Sequence, residues 1–285
     1  MERFIYKNAN GGTVAIGYDK EYILLEYEGL TATEILPNVS QGYHQNGYTL
    51  NHIGLGTRVV SIRFMTSCPT MEETYEKRRF LAGVFNPLLK GELIYENDYL
   101  RVALDVVVSA QPQAVERMGR IQHYEVELTA YNPFFRDVSE TSLVMAGFAG
   151  GISFPFQIPQ EGDGSKFAEI SALTKIPYKG DIEAPIKAVF TGACQYPILQ
   201  NVDTGEHIQV NQIMEEGEQL IITTGYGNKT AKHIDANGNI TDAYHLITLD
   251  SSFFGLKYGT NKITFTAYVG TPTVTLSYYN WYVGV

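Results

Sequence analysis

Residues 101–109 read Arg101-Val102-Ala103-Leu104-Asp105-Val106-Val107-Val108-Ser109, which puts Val102, Leu104, Val106 and Val108 on one side of an extended chain and Arg101, Asp105 and Ser109 on the other. That period of two marks a half-buried antiparallel strand. Tyr124–Ala130 repeats it, with Tyr124, Val126 and Leu128 alternating against Glu125, Glu127 and Thr129. Val60, Ile62 and Phe64 do the same against Ser61 and Arg63. The 27 glycines in 285 residues and the abundance of Tyr, Phe, Val, Ile and Thr point the same way, to a mainly β chain.

One helix interrupts the strands. Thr70-Met71-Glu72-Glu73 is a capping box, in which the Thr70 hydroxyl accepts the Glu73 amide and the Glu73 carboxylate reaches back. Pro69 precedes it and Asn86-Pro87 ends it. Glu72 and Glu73 oppose the dipole in the first turn, Glu73 is spaced to pair with Lys77, and Met71, Tyr75, Ala82 and Phe85 form the apolar stripe that packs on a sheet. Leu88–Asn97 returns as a strand, so the first half is a β-rich α+β unit with one main helix packed on a sheet.

After Asn132-Pro133-Phe134-Phe135 the composition shifts, and Gly147, Gly150, Gly151, Pro155, Pro159, Gly162 and Gly164 crowd together without periodicity. The expected division is therefore a first domain over 1–145, a linker over 146–164 and a second domain over 165–285. In the second domain, strands are expected over Ala184–Phe190, Glu206–Val210, Gln219–Thr223, Ile263–Val269 and Thr273–Val283, with turns at Asp203-Thr204-Gly205, Tyr226-Gly227-Asn228 and Asn237-Gly238. Short strands at this spacing predict an antiparallel β-sandwich.

With 21 Lys and Arg against 31 Asp and Glu, the net charge is −10, which lacks the basic footprint of a sequence-reading nucleic-acid binder. Met1–Tyr6 shows no basic segment leading into an apolar one, and no run reaches the roughly 18 apolar residues of a membrane helix, so neither export by an obvious signal nor membrane insertion is expected. Cys68 and Cys194, far apart in sequence, read as two unpaired thiols in a reducing compartment, with a single bridge between them as the alternative.

The search for chemistry yields no catalytic, metal or cofactor site. His44, His52, His123, His207, His233 and His245 sit in no zinc-hydrolase frame, and His123-Tyr124-Glu125 is half of a deaminase signature without its Cys pair. Gly225-Tyr226-Gly227-Asn228-Lys229-Thr230 has Asn where a phosphate loop needs Gly, and a hairpin turn explains it better. Asp235-Ala236-Asn237-Gly238-Asn239 misplaces the Gly of a calcium loop and has Leu246 in place of its closing Glu, which leaves an Asn-Gly turn. Asn38-Val39-Ser40, Asn228-Lys229-Thr230 and Asn239-Ile240-Thr241 are glycosylation sequons that carry no weight without an export signal. No Gly-x-Ser-x-Gly elbow occurs, and a glycosidase-type carboxylate pair is the one enzymatic reading left open.

One pattern suggests binding. If 273–283 is a single strand, Thr275, Ser277, Tyr279 and Trp281 share one face, and Val274, Leu276, Tyr278 and Tyr282 the other. Tyr279 and Trp281 would then form a platform for a sugar or a protein. The competing reading covers both faces, one by the sandwich core and one by the first domain.

The order of elements resembles the siphophage distal tail protein family. The resemblance is carried by Tyr75-Glu76-Lys77-Arg78-Arg79-Phe80-Leu81, then Phe85-Asn86-Pro87 and Gly91-Glu92-Leu93-Ile94-Tyr95, by the closing Ala130-Tyr131-Asn132-Pro133-Phe134-Phe135, and by Ala184-Pro185-Ile186 through Asn201-Val202-Asp203-Thr204-Gly205-Glu206. It implies a structural protein of the virion tail in a phage or prophage. The first domain would build a homo-hexameric ring at the end of the tail tube, with a tail-associated tip protein below. The second domain would be a galectin-like sandwich that carries a receptor-binding protein or meets host cell-wall saccharide. The resemblance implies no catalytic residues, and the acidic balance suits a channel through which DNA slides without sticking. A freestanding carbohydrate-binding adhesion module is the alternative.

Overall fold

A computed structural model describes residues 2–146, 173–270 and 272–285. The chain divides into two compact units, Met1–Val138 with Trp281–Val285, and Ser139–Asn280.

In the first unit the strands are β1 (Arg3–Asn8), β2 (Thr13–Gly17), β3 (Ile23–Glu28), β4 (Ile35–Ser40), β5 (Thr49–Leu55) and β6 (Arg58–Ser67). Helix α1 (Met71–Val84) follows, then β7 (Lys90–Glu96), β8 (Arg101–Met118), β9 (Ile121–Ala130) and β10 (Phe135–Asp137). Seven of these strands form one antiparallel sheet in the order β2-β1-β7-β8-β9-β6-β3. A bridge between Ile16 and Tyr22, with the Gly17 amide donating to the Tyr22 carbonyl at 3.0 Å, joins its two ends and closes it into a barrel. The three alternating segments of the sequence become the wall: Val60, Ile62, Phe64, Val102, Leu104, Val106, Val108, Tyr124, Val126 and Leu128 are all buried in one core with Phe4, Tyr6 and Ile16. Strands β6 and β9 pair without a slip from Arg58–Ala130 to Ser67–Ile121, as expected where one face is buried and a one-residue shift would expose it.

Helix α1 starts where the capping box places it, with the Glu73 amide donating to Thr70 Oγ1 at 3.2 Å. Its buried side differs from the expected stripe. Thr74, Leu81 and Val84 face the barrel, whereas Met71, Tyr75 and Ala82 are exposed; of the expected set only Phe85, just past the helix, is buried, stacked on Tyr6 at 4.4 Å. The polar Thr74 takes an inward position because its hydroxyl bonds back to the Thr70 carbonyl at 2.9 Å. Lys77 reaches Glu21 at 3.0 Å, across to the barrel and not along the helix to Glu73.

The second unit holds β11 (Thr141–Ala146), β12 (Thr174–Tyr178), β13 (Ile186–Thr191), β14 (Cys194–Gln195), β15 (Ile198–Asn201), β16 (His207–Gln209), β17 (Ile213–Met214), β18 (Gln219–Gly225), β19 (Asn228–Ile234), β20 (Ile240–Asp242), β21 (Gly259–Thr266), β22 (Val269–Gly270) and β23 (Thr273–Tyr278). Two antiparallel sheets, β11-β23-β13-β18-β19-β20 and β12-β21-β15-β16, form the predicted sandwich, with a small third sheet β17-β14-β22. Tyr178 of one sheet meets Tyr278 of the other edge to face at 6.1 Å. The expected turns are present: Gly205, Gly227 and Gly238 all have positive φ.

The division of the chain is displaced from the expected one. Residues 141–146 pair along their whole length with β23, from Thr141–Tyr278 to Ala146–Thr273, and so belong to the second unit. The long strand read over 273–283 breaks at Tyr279–Asn280, and its remainder, β24 (Trp281–Tyr282), pairs with β10 in the first unit. The second unit is thus an insertion between two adjacent strands of the first. Apart from Ala146, the expected linker lies outside the described residues.

Candidate assembly surfaces

Among the described residues no group of three or more His, Cys, Asp or Glu is placed to hold a metal, and no helix is long and apolar enough to cross a membrane. The sequence motifs resolve into turns. Asp235 accepts from the amides of Asn237 and Asn239 at 2.9 and 2.8 Å, so its carboxylate ties its own hairpin, and these bonds hold it below the usual carboxylate range, the Asn239 side chain contributing most. Gly225 pairs with Asn228 across a two-residue turn. Both cysteines are buried and free, and burial pushes the Cys194 thiol up to about 11. His233 meets Glu218 at 3.0 Å on the sandwich surface.

Tyr279 and Trp281 lie on different elements. Tyr279 stands in the break after β23, and Trp281 is in β24, register-paired with Arg136 and edge-on to Phe134 at 6.5 Å. The shared strand on which the platform reading depended is absent.

The most elaborate polar cluster sits where β24 returns to the barrel. Arg58, 1% exposed, donates from Nε to the Pro133 carbonyl at 2.7 Å and from Nη1 to Gly29 and Leu30 at 2.7 and 2.8 Å. Further bonds go to Ala32 at 3.3 Å and to Val283, and the guanidinium lies over the Phe135 ring at 4.8 Å. Burial lowers its pKa, and the carbonyl fan supports the charge. Nearby, Arg136 binds Glu92 at 2.7 Å and Asp105 at 2.9 Å, joining β10 to β7 and β8; burial opposes its charge, but the two carboxylates raise its pKa on balance. These are structural clamps, built from residues that periodicity does not flag.

The first unit exposes an apolar face on one ribbon. The β4–β5 ribbon pairs Ile35 with Leu55, Pro37 with Ile53 and Val39 with Leu50, so six apolar residues share one face. A bulge after Asn38 makes Leu50, and not Asn51, oppose Val39, and thereby keeps that face continuous. Every residue of β4 and the first five of β5 are exposed. Where the β8–β9 tip meets the start of α1, Arg117 contacts Met71 Sδ; Met71, Tyr75, Val115 and Met118 are exposed, as are the charged Glu72, Glu76, Glu116 and Arg120.

The first unit is the barrel, and the second, inserted between β10 and β24, is the β-sandwich. Two family models match in this order: the phage tail protein RIFT-related domain over residues 10–130 and the siphovirus-type tail component, C-terminal domain, over residues 179–282. Together they cover most of the chain, which belongs to the siphophage distal tail protein family and is a component of the virion tail and its baseplate. The fold is similar to that of the Dit (gp 19.1) protein of phage SPP1, at 11% identity and a TM-score of 0.68 over 98% of both chains. It is also similar to a chain of the phage p2 baseplate, at 10% identity and a TM-score of 0.50, covering 97% of this chain and 98% of the other. No curated protein sequence matches the chain.

Proposed function

We propose that six copies close into a ring at the distal end of the tail tube and serve as the hub of the baseplate, with the barrel unit forming the ring. The observation that carries this reading is the fold match along 98% of both chains to a protein described as a paradigm of the hub adsorption apparatus in phages infecting Gram-positive bacteria. The partners are the tail tube protein on one side and the tail-tip protein on the other, and the sandwich holds a receptor-binding protein or meets wall saccharide. The role is architectural and needs no turnover. A net charge of −10 per copy supports a channel that repels DNA phosphate.

Negative-stain class averages of concentrated purified protein test the ring. Six-fold closed particles are expected, and open filaments or another symmetry would refute it. Saccharide binding through Tyr279 and Trp281 is a separate proposal; wall-glycan binding lost in Tyr279→Ala and in folded Trp281→Ala supports it, and the absence of binding by the unaltered protein removes it.

A further inference from the structure

The outer face of the sheet β12-β21-β15-β16 carries polar groups that the fold leaves unused. Leu199, Ile208, Ile263 and Phe265 point into the sandwich and are buried, so the residues alternating with them point out. Register sets six of these on three adjacent strands. Thr264 of β21 pairs with Gln200 of β15, which pairs with His207 of β16; two residues along, Thr266 pairs with Ile198, which pairs with Gln209. With strands about 4.8 Å apart and a rise of about 3.4 Å per residue, the grid covers about 10 Å by 7 Å. Thr264 is only 6% exposed, yet its hydroxyl has no hydrogen-bond partner among the described residues, which costs stability until a further group completes it. The half-buried side-chain amides of Gln200 and Gln209 are also without partners among the described residues. At the rim, His207 Nε2 meets Asp250 at 3.3 Å.

We infer that this face binds an uncharged saccharide, with Thr264, Gln200 and His207 as a hydrogen-bonding row and Ile198 as an apolar seat beside it. The inference rests on the reading in which the sandwich meets wall saccharide, and gives that contact a place. A sugar ring presents a C–H face bordered by hydroxyls that both donate and accept. Ile198, half-buried between Thr266 and Gln209, suits the C–H face, while the Thr264 hydroxyl and the Gln200 amide each offer a donor and an acceptor. A ligand hydroxyl that completes Thr264 is selected strongly, because a ligand without it leaves a buried polar group unpaired. The six residues include no Lys or Arg, and Lys262, further along β21, is tied to Asp203 at 2.9 Å, so the grid holds nothing to fork a phosphate. A protein partner would meet an aromatic or Met-rich centre in a matching surface, whereas Ile198 is the one wholly apolar side chain in the grid.

The test probes the full chain against an array of uncharged oligosaccharides of glucose, galactose, mannose, rhamnose, N-acetylglucosamine and N-acetylgalactosamine, followed by calorimetric titration with the strongest of them. Two variants accompany the unaltered protein, Thr264→Val and Gln200→Ala. Folding is checked by melting followed through the near-ultraviolet dichroism of the tyrosines. Thr264→Val keeps the side-chain shape and removes a hydroxyl that no described residue satisfies, so it should melt no lower than the parent. Each folded variant is expected to lose affinity by about tenfold or more, the worth of one lost hydrogen bond in a buried site. Either variant, folded and binding as tightly as the unaltered protein, overturns this face while leaving the saccharide reading of the sandwich in place. An unaltered protein that binds nothing on the array overturns both.

Discussion

Replacing Arg58 by Met removes the guanidinium that gathers the carbonyls of Pro133, Gly29, Leu30, Ala32 and Val283. The three bonds at 2.7, 2.7 and 2.8 Å are charge-assisted, and at about 1.5–3 kcal/mol each they represent about 5–9 kcal/mol gross. Met also relieves the several kcal/mol of holding a cation out of water. The net expectation is a loss of about 3–5 kcal/mol. Arg58→Lys keeps the charge, but a single ammonium cannot span acceptors on the loop before β4, the segment after β9 and the residues after β24; a loss of about 2 kcal/mol is expected. The assay is guanidinium chloride unfolding followed by the fluorescence of Trp281, the single tryptophan, which stands in the same unit. With a slope of about 4 kcal/mol per molar, the Met variant should move the midpoint down by about 1 M. A Met shift below about 0.2 M, or a Lys variant that melts like the parent, would refute the carbonyl-fan account.

Gly29 has φ +92°, and an added Cβ would run into the Val59 carbonyl, so Gly29→Ala should cost about 3 kcal/mol or more, whereas Gly11→Ala at φ +85° with open space around it should cost about 1 kcal/mol; paired denaturant melts read the difference. Glu218 is held below the usual carboxylate range by the Glu215 amide first and by His233 second. A depressed folded pKa gives stability that is present above the unfolded value of about 4.3 and lost as pH falls through the folded one, so the sandwich should weaken at acid pH, and Glu218→Gln should flatten that part of a pH series of melts. Cys194, its thiol raised to about 11, and Cys68, fully buried, should resist an alkylating reagent at pH 8 in the native protein and react on unfolding, as counted by mass spectrometry.

Wherever one face of a strand is buried and the other wet, the sequence pattern was readable: β6, the first half of β8, and β9 alternate by twos because the barrel interior demands it. The capping box was readable because it is a local hydrogen bond. The helix stripe departs from the expected one because Thr74, whose hydroxyl is satisfied by the Thr70 carbonyl, takes an inward place while Met71 and Tyr75 face outward. The β4–β5 ribbon escaped because Pro37 and the bulge break its alternation, and because its apolar face serves nothing within the unit. The Arg58 fan was invisible since its acceptors are backbone carbonyls from segments far apart in sequence. Trp281 and Tyr279 were joined by a period that runs on through Asn280, where the hydrogen-bonded strand does not.

The pairing of β24 with β10 has a consequence for the order of synthesis. All of Ser139–Asn280 must leave the ribosome before Trp281 exists, so the barrel unit waits, unfinished, for the whole sandwich. Until then the Arg58 guanidinium lacks its Val283 acceptor and Asp137 lacks the Tyr282 hydroxyl that donates to it at 3.0 Å. A chain cut short anywhere in the insertion therefore leaves β10 without its β24 partner. Completion of the second unit thus precedes the last strand pairing of the first, that of β24 with β10.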